Sequence, residues 1–205
     1  MPNFIRTLWV IMSASKVTPL LIIILIISSC AGNFENERQE LSAEFVNYIE
    51  LTNAGNFEAA MEYLPSDIYS QEQKTEEANY SQSFLDKPEI SDFKIKSEYN
   101  IDTIISDGKS IFSRISYSSV MTGDMSFLQD STGSLENIYN QVKRDKEFFG
   151  EENVEFNTET LTSKITINDF LYARKDEEGV WSIFSNNDLT SSIIPKEIKK
   201  LPITQ

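Results

Sequence analysis

The sequence predicts an α+β fold in which N-terminal helices pack on a curved antiparallel sheet, with an extra helix inserted between strands. Three observations predict it. Apolar residues recur at helical spacing over residues 42–64, and they alternate at period two over residues 92–105. The pair Asp107-Gly108 then separates two alternating segments, which is typical of a β-hairpin. Helices followed by antiparallel strands form a layered α+β domain.

Two helices open the predicted domain. Ser42 is a suitable cap for the first helix, which Gly55 ends. Asn56 begins a second, shorter helix, and Pro65 stops it because proline cannot continue the hydrogen-bond ladder. The polar residues 66–88 are predicted to form a loop with one weak helix. The apolar side of the first helix consists of Phe45, Val46 and Ile49.

Antiparallel strands and one further helix follow. Residues 92–105 and the segment from Ile111 to Val120 are predicted as two long strands joined by the hairpin. Residues 134–150 have a helical apolar stripe that Gly150 ends. A short strand at 154–156, a long one at 164–174 and a last one at 180–184 complete the sheet. The tail is predicted to pack back on the domain through Ile194, Ile198 and Leu201.

Composition excludes several classes of function. The 205 residues are 40% hydrophobic, which is enough for a sizeable core. With 18 basic against 32 acidic side chains the charge is −14, so we expect no nucleic-acid partner. The chain has no histidine, the commonest general base near neutral pH and the commonest metal ligand. This absence argues against most hydrolytic and metal-dependent catalysis.

The first 29 residues resemble a secretory signal peptide. Arg6 and Lys16 are their only charges, and the apolar run LLIIILII at 20–27 is followed by small residues. The run is shorter than the roughly 20 residues that a membrane span needs. An uncleaved transmembrane helix and a plain secretory signal remain the alternatives. Translation starts at Met1 or at Met12, which would shorten the positively charged region.

The string Ile27-Ser28-Ser29-Cys30 resembles the lipobox of bacterial lipoproteins. The resemblance implies cleavage between Ser29 and Cys30 and lipid attachment to Cys30. Since Cys30 is the only cysteine, no intramolecular disulfide is available to it. Two or three acyl chains would anchor the protein firmly to a bilayer. We therefore expect a lipid-anchored protein of the bacterial cell envelope, at the outer membrane.

These predictions divide the chain into three parts. Residues 1–29 are the signal peptide, residues 30–41 are the lipidated cysteine with a polar tether, and residues 42–205 are the α+β domain. Removing the signal peptide removes two basic and no acidic side chains, so the mature chain is two charges more negative. Glu35, Glu37 and Glu40 in the tether resemble the acidic export signal of some surface lipoproteins, and which leaflet the protein faces stays open.

Two stretches of the domain resemble the NTF2-like (SnoaL-like, cystatin-like α+β) superfamily. One is the joint Gly55-Asn56-Phe57-Glu58-Ala59-Ala60 between the first two helices, and the other is the hairpin LYARKDEEGVWSIF at 171–184. The resemblance implies a cone-shaped domain, here elaborated by the helix at 134–150. It implies no particular reaction, because a shared fold does not determine function. The histidine-dependent enzymes of that superfamily are excluded by composition.

Four aromatic residues on neighbouring strands are candidates for the lining of a concave pocket: Tyr99, Tyr117, Tyr172 and Trp181. The alternative is that they fill the core between helices and sheet. Acid and base catalysis would need a buried carboxylate beside a tyrosine, and the acids near strand tyrosines are Glu98, Asp102 and Asp169. Alternation predicts that Glu98 and Asp102 are exposed charges, and that Asp169 ends a strand or lies in a bulge.

No metal or cofactor is predicted. The chain lacks a calcium loop of the D-x-[DN]-x-[DN]-G type and every glycine-rich phosphate loop. The oxygen-rich segments 176–178 and 186–188 are interpreted as a hairpin turn and a cap. We therefore expect no catalytic residue and a domain that binds a small apolar ligand or an envelope protein. The alternatives are an isomerase or dehydratase that uses carboxylate and tyrosine, and a domain that forms homodimers through an exposed sheet face.

Overall fold

Three helices precede the first strand along the chain, and the predicted α+β class is confirmed. The structure is a computed structural model that describes residues 34–201. Within this part the helices are α1 (Glu35–Asn53), α2 (Phe57–Met61), α3 (Gln71–Leu85), α4 (Glu136–Phe149) and α5 (Lys196–Lys199). The strands are β1 (Ile90–Ile101), β2 (Ile105–Ser106), β3 (Ile111–Asp124), β4 (Val154–Asn157), β5 (Thr162–Lys175) and β6 (Trp181–Phe184).

The six strands form one open antiparallel sheet around β3 and β5. These two strands pair along their whole length, from Ile111 opposite Lys175 to Asp124 opposite Thr162. β1 and β2 lie one after the other on the outer edge of β3, and β4 and β6 do the same on β5. The predicted helix between strands is α4, which lies between β3 and β4 in the chain.

The two faces of the sheet are covered by different parts of the chain. Side chains alternate along paired strands, so Tyr99, Tyr117 and Asp169 point to one face, here called the helix face. α1 covers part of it, with the ring of Phe45 centred 4.9 Å from that of Tyr99. α4 covers another part, where a core cluster contains Met125, Ile138, Val142, Val154 and Ile165.

The opposite face, here called the tail face, is partly covered by the last described residues. A second core cluster consists of Phe112, Tyr172, Phe184, Ile194 and Ile198. Ile194 and Ile198 are at most 4% exposed, so the prediction that the tail packs back on the domain is confirmed. Burial of such side chains is the main favourable term in folding.

The predicted start of the first helix at Ser42 is wrong. α1 begins at Glu35, and Leu41, which was expected in the tether, is fully buried. Glutamate, arginine and glutamine favour helices although they form no apolar stripe. Arg38 also donates hydrogen bonds from the first turns to the backbone oxygens of Ile101 and Asp102. The extra turns are therefore held by polar contacts that hydrophobic periodicity does not detect.

Two further elements differ from the expectation. The weak helix expected in residues 66–88 is a 15-residue helix, α3, which begins at a capping box formed by Ser70 and Gln73. The single strand expected over 92–105 is divided into β1 and β2. The chain leaves the ladder at Asp102, whose carboxylate pairs with the buried guanidinium of Arg114.

Candidate ligand-binding cavity

A cavity of about 370 Å³ opens on the helix face. It lies between β3, β5, α4, the 3₁₀ turn at Ser126–Leu128 and the connection from α3 to β1. We call it the β3/α4 cavity. Its volume falls in the range of small-ligand sites, which is roughly 300 to 1,000 Å³. Its lining consists of Phe84, Lys87, Glu89, Ile90, Met121, Gly123, Met125, Phe127, Leu128, Gln141, Asp145, Phe149, Ser163 and Ile165.

Gly123 allows the connection before β1 to approach the backbone of β3 closely beside this cavity. It pairs with Ile90 of β1 on one side and with Ser163 of β5 on the other. A Cβ atom at this position would meet the backbone oxygen of Glu89 at 3.0 Å, tighter than most Cβ contacts in proteins, so the neighbouring backbone would have to shift slightly. Glycine within a strand often marks such a close backbone approach.

The deep part of the cavity is apolar apart from one hydroxyl. Met125 and Ile165 are at most 7% exposed and belong to the core cluster under α4. Ser163 is 2% exposed, and its Oγ has no hydrogen-bond partner. A buried polar atom without a partner is uncommon in folded proteins and requires an explanation.

The rim of the cavity combines aromatic and charged side chains. Phe127 is 60% exposed there. The Lys87 ammonium lies 5.0 Å from the centroid of the Phe84 ring. Gln141 donates a 2.7 Å hydrogen bond to Asp145 and accepts one of 2.7 Å from Arg144. The amide of Gln141 is thus already engaged on both its oxygen and its nitrogen.

A second, open groove lies between α1, α2 and the β5–β6 hairpin. We call it the acidic groove; its volume is about 640 Å³, and its lining includes Glu40, Glu44, Glu62, Tyr63, Lys175 and Trp181. Lys175 donates a hydrogen bond to the carboxylate of Glu40 and forms an ion pair with it. The hydrogen bond and the positive charge lower the pKa of Glu40 below its usual value. Hydrogen bonds from Gln71 and Lys74 lower the pKa of Glu62. The local cations therefore already neutralise part of the acidic charge.

The acidic groove also brings a carboxylate to a tyrosine. The Tyr63 hydroxyl donates a 2.7 Å hydrogen bond to Glu44 and accepts one of 2.7 Å from Asn47. Partial burial, together with the carboxylate of Glu44, raises the pKa of Tyr63. A phenol with a raised pKa is a weaker acid, and both side chains remain partly exposed to water.

The structure separates the four aromatic residues expected to line one pocket. Tyr99 and Tyr117 lie together under α1, where their rings are 4.9 and 6.1 Å from that of Phe45. Tyr172 lies on the tail face and packs on Phe184 in the other core cluster. Trp181 is 7% exposed and lies beside the acidic groove. The β3/α4 cavity is lined by none of the four.

The acids expected near strand tyrosines also differ from the prediction. Glu98 is exposed, as expected. The expectation that Asp102 is exposed is wrong, because its side chain is 9% exposed and accepts a 2.6 Å hydrogen bond from Arg114. Asp169 lies in the regular middle of β5, opposite Tyr117, and not at a strand end or bulge. Burial, with the nearby carboxylate of Asp169, raises the pKa of Tyr117.

The two oxygen-rich segments form backbone turns. Asp176 accepts hydrogen bonds from the amides of Glu178 and Val180 in the hairpin, and Asn187 accepts them from Leu189 and Thr190. Among residues 34–201, no group of three or more cysteine and acidic side chains could hold a metal ion. The interpretation of the first segment as a hairpin turn is confirmed. The second segment is a turn as well and not a helix cap, because the next helix, α5, begins only at Lys196.

Ser29 and Cys30, the predicted cleavage and lipidation residues, lie outside the described residues. No helix in the described part of the chain is long and apolar enough to cross a membrane. No family model, curated protein or solved structure matches this chain.

Sequence reasoning missed the residues of the β3/α4 cavity, Ser163 and the two methionines Met121 and Met125 among them. One signal was present. Gly123 is a glycine inside an alternating strand segment, and such a glycine indicates a close approach of backbone or ligand. The aromatic side chains expected to line a pocket were Tyr99, Tyr117, Tyr172 and Trp181. Beside the first two, the ring of Phe45 from α1 fills the space.

Proposed function

We propose that this protein is a lipid-anchored component of a bacterial cell envelope whose domain binds a small apolar ligand in the β3/α4 cavity. The observation that supports this function is the cavity itself, with a volume of about 370 Å³ and a mainly apolar lining. The lipid is attached to Cys30, the last residue of the lipobox-like sequence at 27–30. No cofactor and no nucleic acid form part of the proposal.

The cavity is open to solvent, so part of its apolar lining is hydrated when it is empty. A ligand that covers this lining would gain roughly 25 cal/mol for each Å² of apolar surface removed from water. Larger side chains at Met121 or Ser163 would fill the space, whereas the close approach of the Glu89 backbone oxygen accounts for Gly123. The flexible Met121 and the small Ser163 leave room for a ligand, which supports a binding role.

The proposed fold is an NTF2-like cone elaborated by α4. The order of α1, α2 and α3 followed by long antiparallel strands is compatible with such a domain. In this interpretation Phe45 fills the space beside Tyr99 and Tyr117. The cavity therefore lies farther along the sheet, next to α4. The inserted helix would then create the binding site.

The alternative of a carboxylate and tyrosine enzyme has little support on the sheet, where Asp169 lies opposite Tyr117 but is exposed. The remaining pair is Glu44 and Tyr63, whose side-chain oxygens are 2.7 Å apart. Their groove is open to solvent, whereas acid and base catalysis of this type needs a carboxylate in an environment that excludes water. No tyrosine lines the β3/α4 cavity. We therefore favour binding over catalysis.

A neutral environment-sensitive naphthalene fluorophore, 6-propionyl-2-dimethylaminonaphthalene, tests the binding function. The mature chain, residues 30–205 with Cys30→Ser, avoids detergent and retains every described core residue. We expect saturable one-to-one binding with a blue shift of the emission. Met121→Trp fills the cavity and should weaken binding at least about tenfold, the equivalent of roughly 1.4 kcal/mol.

Met61→Trp is the matched control, since Met61 is half-buried on α2 and does not line the cavity. It should bind the fluorophore like the wild type. Circular dichroism establishes that both variants are folded. Equal affinity of Met121→Trp and wild type, or no saturable binding by the wild type, contradicts the proposed function.

A further inference from the structure

The hydroxyl of Ser163 lies where a bound molecule would meet it. Ser163 is 2% exposed, lies in β5 and lines the β3/α4 cavity. Its Oγ has no hydrogen-bond partner, although serine hydroxyls normally pair with a backbone carbonyl or another side chain. The residue opposite on β3, Gly123, has no side chain that could cover or engage the hydroxyl.

The other polar groups of the lining are already engaged or lie at the rim. Gln141 uses both ends of its amide on Asp145 and Arg144. The Lys87 ammonium lies over the Phe84 ring. Ser163 is therefore the hydrogen-bonding group that remains for a ligand within the apolar part of this cavity.

The charge around the cavity selects against an anion. Its ionisable lining residues are Lys87, Glu89 and Asp145, one basic and two acidic. The chain as a whole has a charge of −14. The lone cation, Lys87, lies over the Phe84 ring at the rim and is outnumbered by the two carboxylates. A carboxylate or phosphate bound beside Ser163 would therefore lack net compensating charge, and burying such a charge is unfavourable.

We propose that the ligand is an uncharged, mainly apolar molecule with a single buried oxygen, carbonyl or hydroxyl, that hydrogen-bonds to Ser163 Oγ. This inference rests on the proposed binding function and adds the chemical class of the ligand. The apolar body contacts Met125, Ile165 and Phe149, while the oxygen pairs with the serine. A hydrocarbon of the same shape would leave the hydroxyl unsatisfied, which is how a buried polar group discriminates between ligands.

Two nearly isosteric probes test the hydrogen bond: 2-acetylnaphthalene, with a carbonyl oxygen, and 2-ethylnaphthalene, without one. Each displaces the propionyl fluorophore from the mature Cys30→Ser chain, which yields two affinities and their ratio. The same ratio is measured for Ser163→Ala. Comparing ratios between proteins cancels the different water solubilities of the two probes. We expect the ketone-to-hydrocarbon ratio to fall about fivefold or more in Ser163→Ala, as loss of one hydrogen bond predicts.

Ser81→Ala is the control, because Ser81 lies on α3 and does not line the cavity. It should keep the wild-type ratio. Since the Ser163 hydroxyl has no partner, Ser163→Ala should fold with a melting temperature no lower than that of wild type. An unchanged ratio with both probes bound overturns the inference and leaves the binding function intact. Failure of the fluorophore and both probes to bind wild type overturns the function and this inference together.

Discussion

Arg114 is the charged side chain that joins three parts of the domain. It is 2% exposed, and its Nε donates a 2.6 Å hydrogen bond to Asp102 at the end of β1. Its Nη1 donates one of 2.7 Å to the backbone oxygen of Leu201 in the tail. The guanidinium also lies 5.2 Å from the centroid of the Phe170 ring. A buried charge of this kind is tolerated because each of these groups compensates for its loss of water.

Removing the carboxylate should therefore be strongly destabilising. We expect Asp102→Ala to lower the free energy of unfolding by about 3 kcal/mol or more, because Arg114 would remain buried without its counter-ion. Asp92→Ala is the control, since Asp92 pairs with Lys94 at 3.9 Å on the surface. Such exposed pairs contribute about 0 to 1 kcal/mol. Urea denaturation measures both values, and similar losses in the two variants would contradict the assignment.

Asp67 provides a pH-dependent contribution to stability. Arg174 donates two hydrogen bonds to its carboxylate and holds the pKa of Asp67 below the usual value. A carboxyl with a lowered pKa in the folded state stabilises the protein above its unfolded pKa of about 4. That stabilisation is lost as the pH falls through the lower, folded pKa.

Asp67→Asn should therefore lower stability at pH 6 while reducing the further loss on acidification to pH 3. The side chain is 59% exposed, so solvent screening limits the effect at pH 6 to about 1 kcal/mol or less. Melting temperatures of wild type and variant between pH 3 and pH 6 measure it. If the melting temperatures of wild type and variant changed with pH in the same way across that range, the ion pair would make no pH-dependent contribution.

At the scale of elements, hydrophobic periodicity predicted the helices and strands whose apolar residues contact the sheet. The apolar stripe over 134–150 predicted α4, and Gly150, where φ is 96°, predicted the residue at which the helix ends. The first turns of α1 and the length of α3 were missed, because mainly polar residues form them. Helix propensity, the contacts of Arg38 and a capping box determine those segments.

Predicting which side chains of different strands share a face of the sheet requires the register between the strands. Alternation within a single strand does not give that register. Lys175 pairs with Trp181 across the last hairpin, so Tyr172 pairs with Phe184 and points to the opposite face from Trp181. The turn at Glu178-Gly179 could have predicted this register from the sequence, since turn length determines pairing in a hairpin. The position of Asp102 could not be predicted, because it depends on Arg114 of another strand.

The capping box of α3 is a contact within one element and can be tested by itself. Ser70 Oγ accepts a hydrogen bond from the Gln73 amide, and Gln73 Oε1 accepts one from the Ser70 amide. Ser70→Ala should lower the free energy of unfolding by about 1 kcal/mol. Ser81→Ala, inside the same helix, should be neutral or slightly stabilising because alanine favours helices. Chemical denaturation measures both, and equal effects of the two changes would contradict a capping role.

At the scale of the whole molecule, the net charge bears on the proposed lipid anchor. The chain has 32 acidic against 18 basic side chains, so its surface repels anionic lipid headgroups. Electrostatic adsorption would therefore not account for the proposed membrane association. A covalent anchor would hold the domain at the bilayer despite this repulsion, since acyl chains contribute about 0.8 kcal/mol for each buried CH₂ group.

Changing the proposed anchor residue tests this in a bacterial host with the full chain. We expect Cys30→Ser to abolish acylation and signal cleavage at this residue, so that mass spectrometry detects no lipidated N-terminus. Ser29→Ala is the control, because it keeps a small residue before the cysteine and should be lipidated normally. Membrane association of Cys30→Ser through its retained signal segment is expected and is distinguished by its unprocessed mass. Normal processing of Cys30→Ser, or a wild-type Cys30 without lipid, would contradict the lipoprotein assignment, because an uncleaved helix or an ordinary secretory signal needs no cysteine.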